Sequence, residues 1–202
     1  MTIQERHMHA LSRPHGMLHV RSDGPQGAPA VVFANSLGTD LRLWDSALPL
    51  LPQNLRFVRY DKRGHGLSDT GGGEDINDHA DDAIAVIEAV AKGPVVFIGL
   101  SIGGLIAQVV ASRRPSLVRA LVLSNTAARL GTAESWQARI DVVQAQGLAS
   151  IADAVMERWF APAFRAGDEL ALWRNMLVRT PVQGYLAACR ALATTDHTDR
   201  TR

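Results

Sequence analysis

The chain has 202 residues, 47% of them hydrophobic, with 21 Lys and Arg against 20 Asp and Glu for a formal charge of +1. That length supports one sizeable core rather than two domains, and the balanced charge excludes the electrostatic footprint of a nucleic-acid or anionic-membrane binder. No apolar run approaches the roughly 20 residues of a membrane helix and no basic flank leads into an apolar signal region, so the reading is a cytoplasmic protein with a small-molecule partner.

Taken in order, GMLHVRS (Gly16–Ser22) alternates weakly and runs into the turn-rich DGPQGAP, which predicts an N-terminal hairpin strand. AVVFAN (Ala30–Asn35) is a short, continuously apolar run of the kind a buried parallel strand shows. After a turn at SLGTD, residues Leu43, Trp44, Ala47, Leu48 and Leu51 recur at helical spacing, and LRFVRYD (Leu55–Asp61) follows as a strand. Gly71–Lys92 opens with glycines, carries acids in its first turns and sets Ile84, Ile87 and Ala91 on one face, which predicts a helix. PVVFIGL is a strand, IGGLIAQVVASRRP a helix closed by Pro115, and VRALVLSN a further strand. Four buried-type strands alternating with helices define an α/β class with a mainly parallel sheet. From GTAESWQARI onward the period changes. Trp136, Ile140 and Val143, then Ile151, Val155 and Trp159, repeat at helical intervals, so residues 133–195 read as all-helical.

Gly99-Leu100-Ser101-Ile102-Gly103 spells G-x-S-x-G between a strand and a helix, the setting in which the pattern has chemical meaning. In so tight a turn the glycines make room, the serine hydroxyl stands above the sheet end, and the Ile102 N–H at a helix N-terminus becomes one donor for an oxyanion. The alternative is an ordinary strand-to-helix turn in which Ser101 only caps the helix. A second donor belongs in the loop after an earlier strand, where FANSLGTD offers the backbone N–H of Leu37, with Ser36 as the other register. YDKRGHGLSD (Tyr60–Asp69) follows the intervening strand.

These three segments together resemble the α/β-hydrolase family, whose members carry a D-x-R-G-x-G-x-S turn ahead of the nucleophile. Asp61, Arg63, Gly64, Gly66 and Ser68 match it. In that family the turn is structural, which makes His65 a scaffold residue and not the catalytic base. NSLGTDLRLW, YDKRGHGLSD, GLSIGGLIAQ and LVLSNTAARLGTAESW narrow the resemblance to the 3-oxoadipate enol-lactonases, over roughly residues 15–195. The Asn35-Ser36 spelling, where many hydrolases have His-Gly, is one of the features of that subgroup.

The resemblance implies an α/β-hydrolase core in residues 1–132, a helical cap in 133–195 and a truncated return to the core in 196–202. It implies hydrolysis of 3-oxoadipate enol-lactone to 3-oxoadipate in the β-ketoadipate pathway of aromatic catabolism, with no cofactor and no metal. Ser101 would be the catalytic nucleophile, and the N–H groups of Leu37 and Ile102 the oxyanion hole. Trp136, Met156 and Trp159 are candidate pocket walls. The substrate keeps a free carboxylate, so one arginine should face inward. Arg129 is the first choice, with Arg139, Arg158 and Arg174 open.

The partners of the serine pose the difficulty. In this fold the acid and then the histidine follow the serine, on loops after the last strands, and no further strand patterns are written before residue 202. His197, Asp196 and Asp199 lie where the cap should return, but match no family position. VRALVLSN would then be an uncovered apolar edge. The sequence leaves three explanations: a fragment of a longer product, strands supplied by another polypeptide, or an inactive shortened form; a homo-oligomer and a complementing C-terminal polypeptide are the candidate protein partners. Rival functions are another esterase, perhydrolase or carbon–carbon hydrolase of the same fold, or a non-catalytic binding protein that keeps the turn. Cys189 stands alone and reads as a small buried residue, and His7, His9, His15 and His19 lack an acid or cysteine to complete a metal set.

Overall fold

The structure, a computed structural model, describes residues 6–200, with the side chains of residues 6, 7 and 200 left out. The side chain of His7, one of the four histidines weighed above as metal ligands, and the last two residues of the 196–202 segment therefore lie outside what is described. Strands β1 (Arg6–Arg13), β2 (Gly16–Asp23), β3 (Ala30–Ala34) and β4 (Arg56–Tyr60) come first; helix α1 (Ile76–Val90), strand β5 (Val95–Leu100), helix α2 (Ile102–Arg113) and strand β6 (Val118–Ser124) complete the α/β region. Five helices follow: α3 (Ala133–Gln146), α4 (Ala152–Trp159), the single turn α5 (Pro162–Arg165), α6 (Leu170–Val178) and α7 (Val182–Thr194). Among the described residues no helix is long and apolar enough to cross a membrane.

The six strands form one sheet in the order β1-β2-β4-β3-β5-β6. The hairpin β1–β2 joins β4 antiparallel, while β4, β3, β5 and β6 run parallel. From β3 the chain moves outward to β4, then returns through α1 to place β5 on the other side of β3. Neighbouring loops after β3 and β5 thus diverge, opening a crevice at their C-terminal ends, where open α/β sheets bind ligands. The sequence expectation of an α/β fold with a mainly parallel sheet holds.

Period-2 alternation sorts the strand side chains between two faces. Val32, Ala34, Val58, Tyr60, Val95 and Phe97 pack with α1 and α2 in the main core. Val31, Phe33 and Phe57 point to the other face, covered by Trp44, Leu48, Leu51 and Leu55. That covering segment is where the sequence predicted a helix, and it holds two short 3₁₀ turns instead, Leu41–Trp44 and Leu48–Leu50. Pro49 and Pro52 explain the difference: each lacks an N–H and disfavours helical backbone before it, so apolar spacing survives without a continuous helix. β6 closes the sheet on one side, with Val122 and Leu123 exposed.

One contact joins the late helices to the early loops through backbone alone. Gly64 has φ +69°, and a Cβ there would stand 2.3 Å from the Gly184 Cα; one on Gly184 in α7 would stand 2.2 Å from the Gly64 carbonyl oxygen. Replacing a helical glycine by alanine ordinarily gains about 1 kcal/mol. At Gly184 both neighbours are backbone and cannot rotate away. Gly184→Ala should therefore lower stability by about 1–3 kcal/mol in urea unfolding, and a gain in stability would show that the two backbones can separate freely.

Candidate active site

Ser101 joins β5 to α2 with φ 57° and ψ −118°, one of two non-glycine residues among those described with positive φ. Its side chain makes no capping hydrogen bond, so the simple helix-cap alternative does not describe it. Three glycines permit the turn. A Cβ on Gly99 would lie 2.3 Å from the Gly103 carbonyl oxygen, one on Gly103 would lie 2.2 Å from that of Ala34, and one on Gly104 would strike Thr126. Hydrogen bonds hold the strained residue from several sides: Ser101 N–H donates to Ser124 O (3.0 Å), and its carbonyl accepts from Gly104 N–H (2.8 Å) and Thr126 Oγ1 (2.8 Å). Strain over-determined in this way is what a fixed, outward-facing hydroxyl requires.

A cavity of about 440 Å³ opens over Ser101, lined also by Ser36, Thr39, Leu100 and Asn125 from the sheet ends and by Arg158, Trp159, Phe160 and Trp173 from the late helices. The aromatic wall is internally packed, Phe160 lying 5.3 Å from Trp173 and 6.3 Å from Trp159 between ring centroids. A larger cavity of about 630 Å³, on the far side of the 35–41 loop between His19, Asp61 and Arg179, contains no Ser101.

The loop after β3 is held almost entirely by the turn after β4. Asn35 Nδ2 donates to Tyr60 O (2.8 Å), and its Oδ1 accepts from Trp44 Nε1 (2.7 Å). The Gly38 N–H donates to His65 Nε2 (3.1 Å), while Nδ1 of the same ring faces Arg63 O (3.2 Å), which assigns the proton to Nδ1 and leaves the ring neutral. Burial, reinforced by Lys62, holds the His65 pKa well below the ordinary imidazole value. Asp61 Oδ1 accepts from Leu41 N–H (2.7 Å), and Lys62 Nζ donates to Ser36 O (2.5 Å). Among the described residues no hydrogen bond occupies the N–H of Leu37 or of Ile102, both residues being buried.

Of the residues singled out from sequence, the structure brings Ser101, Ser36 and Trp159 to one cavity, with Leu37 and Ile102 adjoining. It places neither Trp136 nor Arg129 against it. The Trp136 indole N–H is taken by Leu130 O, with the Arg139 guanidinium over its ring, and Arg129 pairs with Asp196 at 3.5 Å in an exposed contact. Met156 is buried in the core, Arg139 also reaches Tyr185 Oη (3.3 Å), and Arg174 pairs with Asp153 (2.9 Å). Arg158, an exposed residue, is the arginine that lines the cavity, and it makes no ion pair among the described residues. Asn125, Phe160 and Trp173 went unmarked in the sequence. Only the left-handed backbone of Asn125 (φ 46°), a residue type that tolerates it, offered a hint. His197 lies near Gln108, Leu121 and Leu123, away from this cavity, and among the described residues no His, Asp or Glu lines it. Cys189 is fully buried in α7, its thiol pKa pushed up to about 12 by burial.

Comparison with known proteins agrees with this architecture. A family profile described as alpha/beta hydrolase fold matches residues 29–164. The chain is 36% identical over 181 residues to 3-oxoadipate enol-lactonase 1 of Acinetobacter baylyi, an alignment covering 89% of this chain and 68% of that protein. A crystal structure of the enol-lactonase from Burkholderia xenovorans superposes with TM-score 0.86 at 36% identity, over 90% of this chain and 72% of that one. A hydrolase structure from Pseudomonas aeruginosa gives 0.87 at 34% identity, over 94% and 73%.

The histidines that brace these loops predict an acid sensitivity. Burial holds His79, whose Nε2 bonds Gly73 O, down to about 4, and lowers His65 as well. A histidine whose folded pKa lies below its unfolded value binds fewer protons when folded, so stability is lost as pH falls below about 6.5. Between pH 6.5 and 5, where carboxylates titrate little, His79 alone should cost on the order of 2 kcal/mol. Urea unfolding at the two pH values checks it, and a flat profile would mean that these rings titrate in the fold as they do in the unfolded chain.

Proposed function

The chain belongs to the alpha/beta hydrolase family, and from that premise we propose that it provides the serine nucleophile for hydrolysing a small lactone that carries a separate carboxylate, 3-oxoadipate enol-lactone, in aromatic catabolism. One observation carries the carboxylate. Arg158 is the single charged side chain, among the described residues, in the wall of the Ser101 cavity, and it has no acid of its own there to neutralise. A pocket with an aromatic wall, the uncharged polar groups of Ser36, Thr39, Ser101 and Asn125, and one unpaired guanidinium suits a flat monoanion. The similarity to the 3-oxoadipate enol-lactonases of Acinetobacter baylyi supports the same substrate, and that to the enol-lactonase of Burkholderia xenovorans supports the same class of reaction.

In this reading Ser101 Oγ attacks the lactone carbonyl, and the N–H groups of Leu37 and Ile102, without partners among the described residues, receive the oxyanion. Collapse of that intermediate breaks the ring C–O bond, releasing an enol that becomes a ketone while the acyl group stays on Ser101. Water then attacks the acyl-serine and frees the second carboxylate. The Asn35 amide and His65 keep the loop bearing Leu37 in place and touch no reacting atom. The Ser101 proton needs a base, and among the described residues no His, Asp or Glu lines the cavity to take it.

The test is an assay of the gene product at its native length on 3-oxoadipate enol-lactone and on p-nitrophenyl acetate. Ser101→Ala should reduce turnover of both by roughly 10⁴-fold or more. Arg158→Gln should raise KM for the lactone about 10- to 100-fold, the worth of one charge-assisted hydrogen bond, and leave the neutral ester nearly unaffected. Ester hydrolysis without lactone hydrolysis would assign a broader esterase, and activity indifferent to Ser101→Ala would mean a binding protein that keeps the turn.

A further inference from the structure

We propose that Lys62 is a positioning residue for this site: by gripping the Ser36 carbonyl it orients and polarises the Ser36–Leu37 peptide, whose N–H is the oxyanion donor. The inference rests on the hydrolytic reading of Ser101 and Leu37. A trans peptide holds its C=O and N–H on opposite sides, so a donor fixed on the Ser36 oxygen fixes the direction of the Leu37 N–H. The Ser36 carbonyl also accepts from Thr39 Oγ1 (2.9 Å) and weakly from Thr39 N–H (3.4 Å), but among the described residues Lys62 Nζ at 2.5 Å is its nearest donor and the only charged one. The same ammonium reaches Thr39 O at 3.4 Å, spanning both ends of the loop.

The cost of that arrangement argues that it has a use. Lys62 is 2% exposed, and an ammonium taken from water is expensive unless partnered. Asp61 on its own turn and Asp40 on the loop before Leu41 face it as carboxylates. His65 on the same turn and His79 on α1 face it as rings that burial and Lys62 itself keep neutral. Neither carboxylate bonds it directly: Asp40 is engaged by Arg42, and Asp61 by His19 and two backbone N–H groups. The ammonium thus spends its hydrogen bonds on the carbonyls of the loop. A cation on the carbonyl draws electron density through the peptide and strengthens its N–H as a donor. Desolvation outweighs both carboxylates and brings the Lys62 pKa down to about 7, so the grip is strongest below neutrality and weakens as the proton leaves.

The test has two independent readouts on the native-length protein. In wild type the Leu37 amide ¹⁵N shift should titrate between pH 6 and 9 in step with the Lys62 Nζ resonance, and in Lys62→Met that titration should vanish. On the enol-lactone, Lys62→Met should lower kcat about 10- to 100-fold with KM changed less than about threefold, and Lys62→Arg should recover some of the loss. A Leu37 amide that ignores Lys62 ionisation in wild type overturns the proposal even if the variants fail to fold. So does an unchanged kcat in folded Lys62→Met. If instead Ser101→Ala leaves turnover intact, the hydrolytic reading fails by itself, and the Leu37 titration still decides whether Lys62 governs that peptide.

Discussion

The buried carboxylate of Asp61 is the point on which the loop architecture turns. Its Oδ2 accepts from His19 Nδ1 (2.8 Å) and Leu67 N–H (2.9 Å), and its Oδ1 from Leu41 N–H (2.7 Å), so one side chain binds the hairpin, its own turn and the segment after β3. The approach is so close that a Cβ on Gly66 would fall 2.1 Å from Oδ2. Charge-assisted bonds to otherwise orphaned backbone donors are among the stronger local interactions a fold can make. With the turn so fixed, its successive residues reach outward in different directions. Lys62 and His65 go to the loop that carries Leu37, and Arg63 to α1, where it meets Asp82 Oδ2 (2.7 Å) and Asp78 O (2.9 Å).

This division explains what the amino-acid pattern made legible. The elbow at Ser101 was readable because its constraints are local: glycine is needed wherever a Cβ would meet backbone a few residues away, and the letters record that directly. The parallel strands were readable because continuous apolar runs such as AVVFA have few other uses. The 41–51 segment misled because apolar spacing reports which side faces the core, and prolines decide whether a helix joins those positions.

The walls of the cavity were the least legible feature. Trp136 and Trp159 both sit in helical stripes, and only the rotation and placement of their helices send one to the Leu130 carbonyl and the other to the cavity. The same holds for arginines: Arg129, Arg139 and Arg174 each find a partner from a distant element, leaving Arg158 by a process that sequence spacing does not encode. Lys62 is the harder case. A lysine between an aspartate and an arginine reads as a solvated charge, and its burial follows from the path of the turn.

The backbone contact between Gly64 and Gly184 also has a bearing on how a ligand enters. α7 lies against the turn with no side chains between, and it packs along α3, so this side of the helical layer is anchored to the sheet loops. The aromatic wall belongs to α4, α6 and the short stretch between them, which pack mainly on one another and carry exposed faces. Swinging the whole layer open would have to pull apart backbones in direct contact. The cavity over Ser101 is therefore walled by α4, α6 and the stretch between them, Arg158 included, while the two glycines close the α7 side of the layer without leaving room for a ligand.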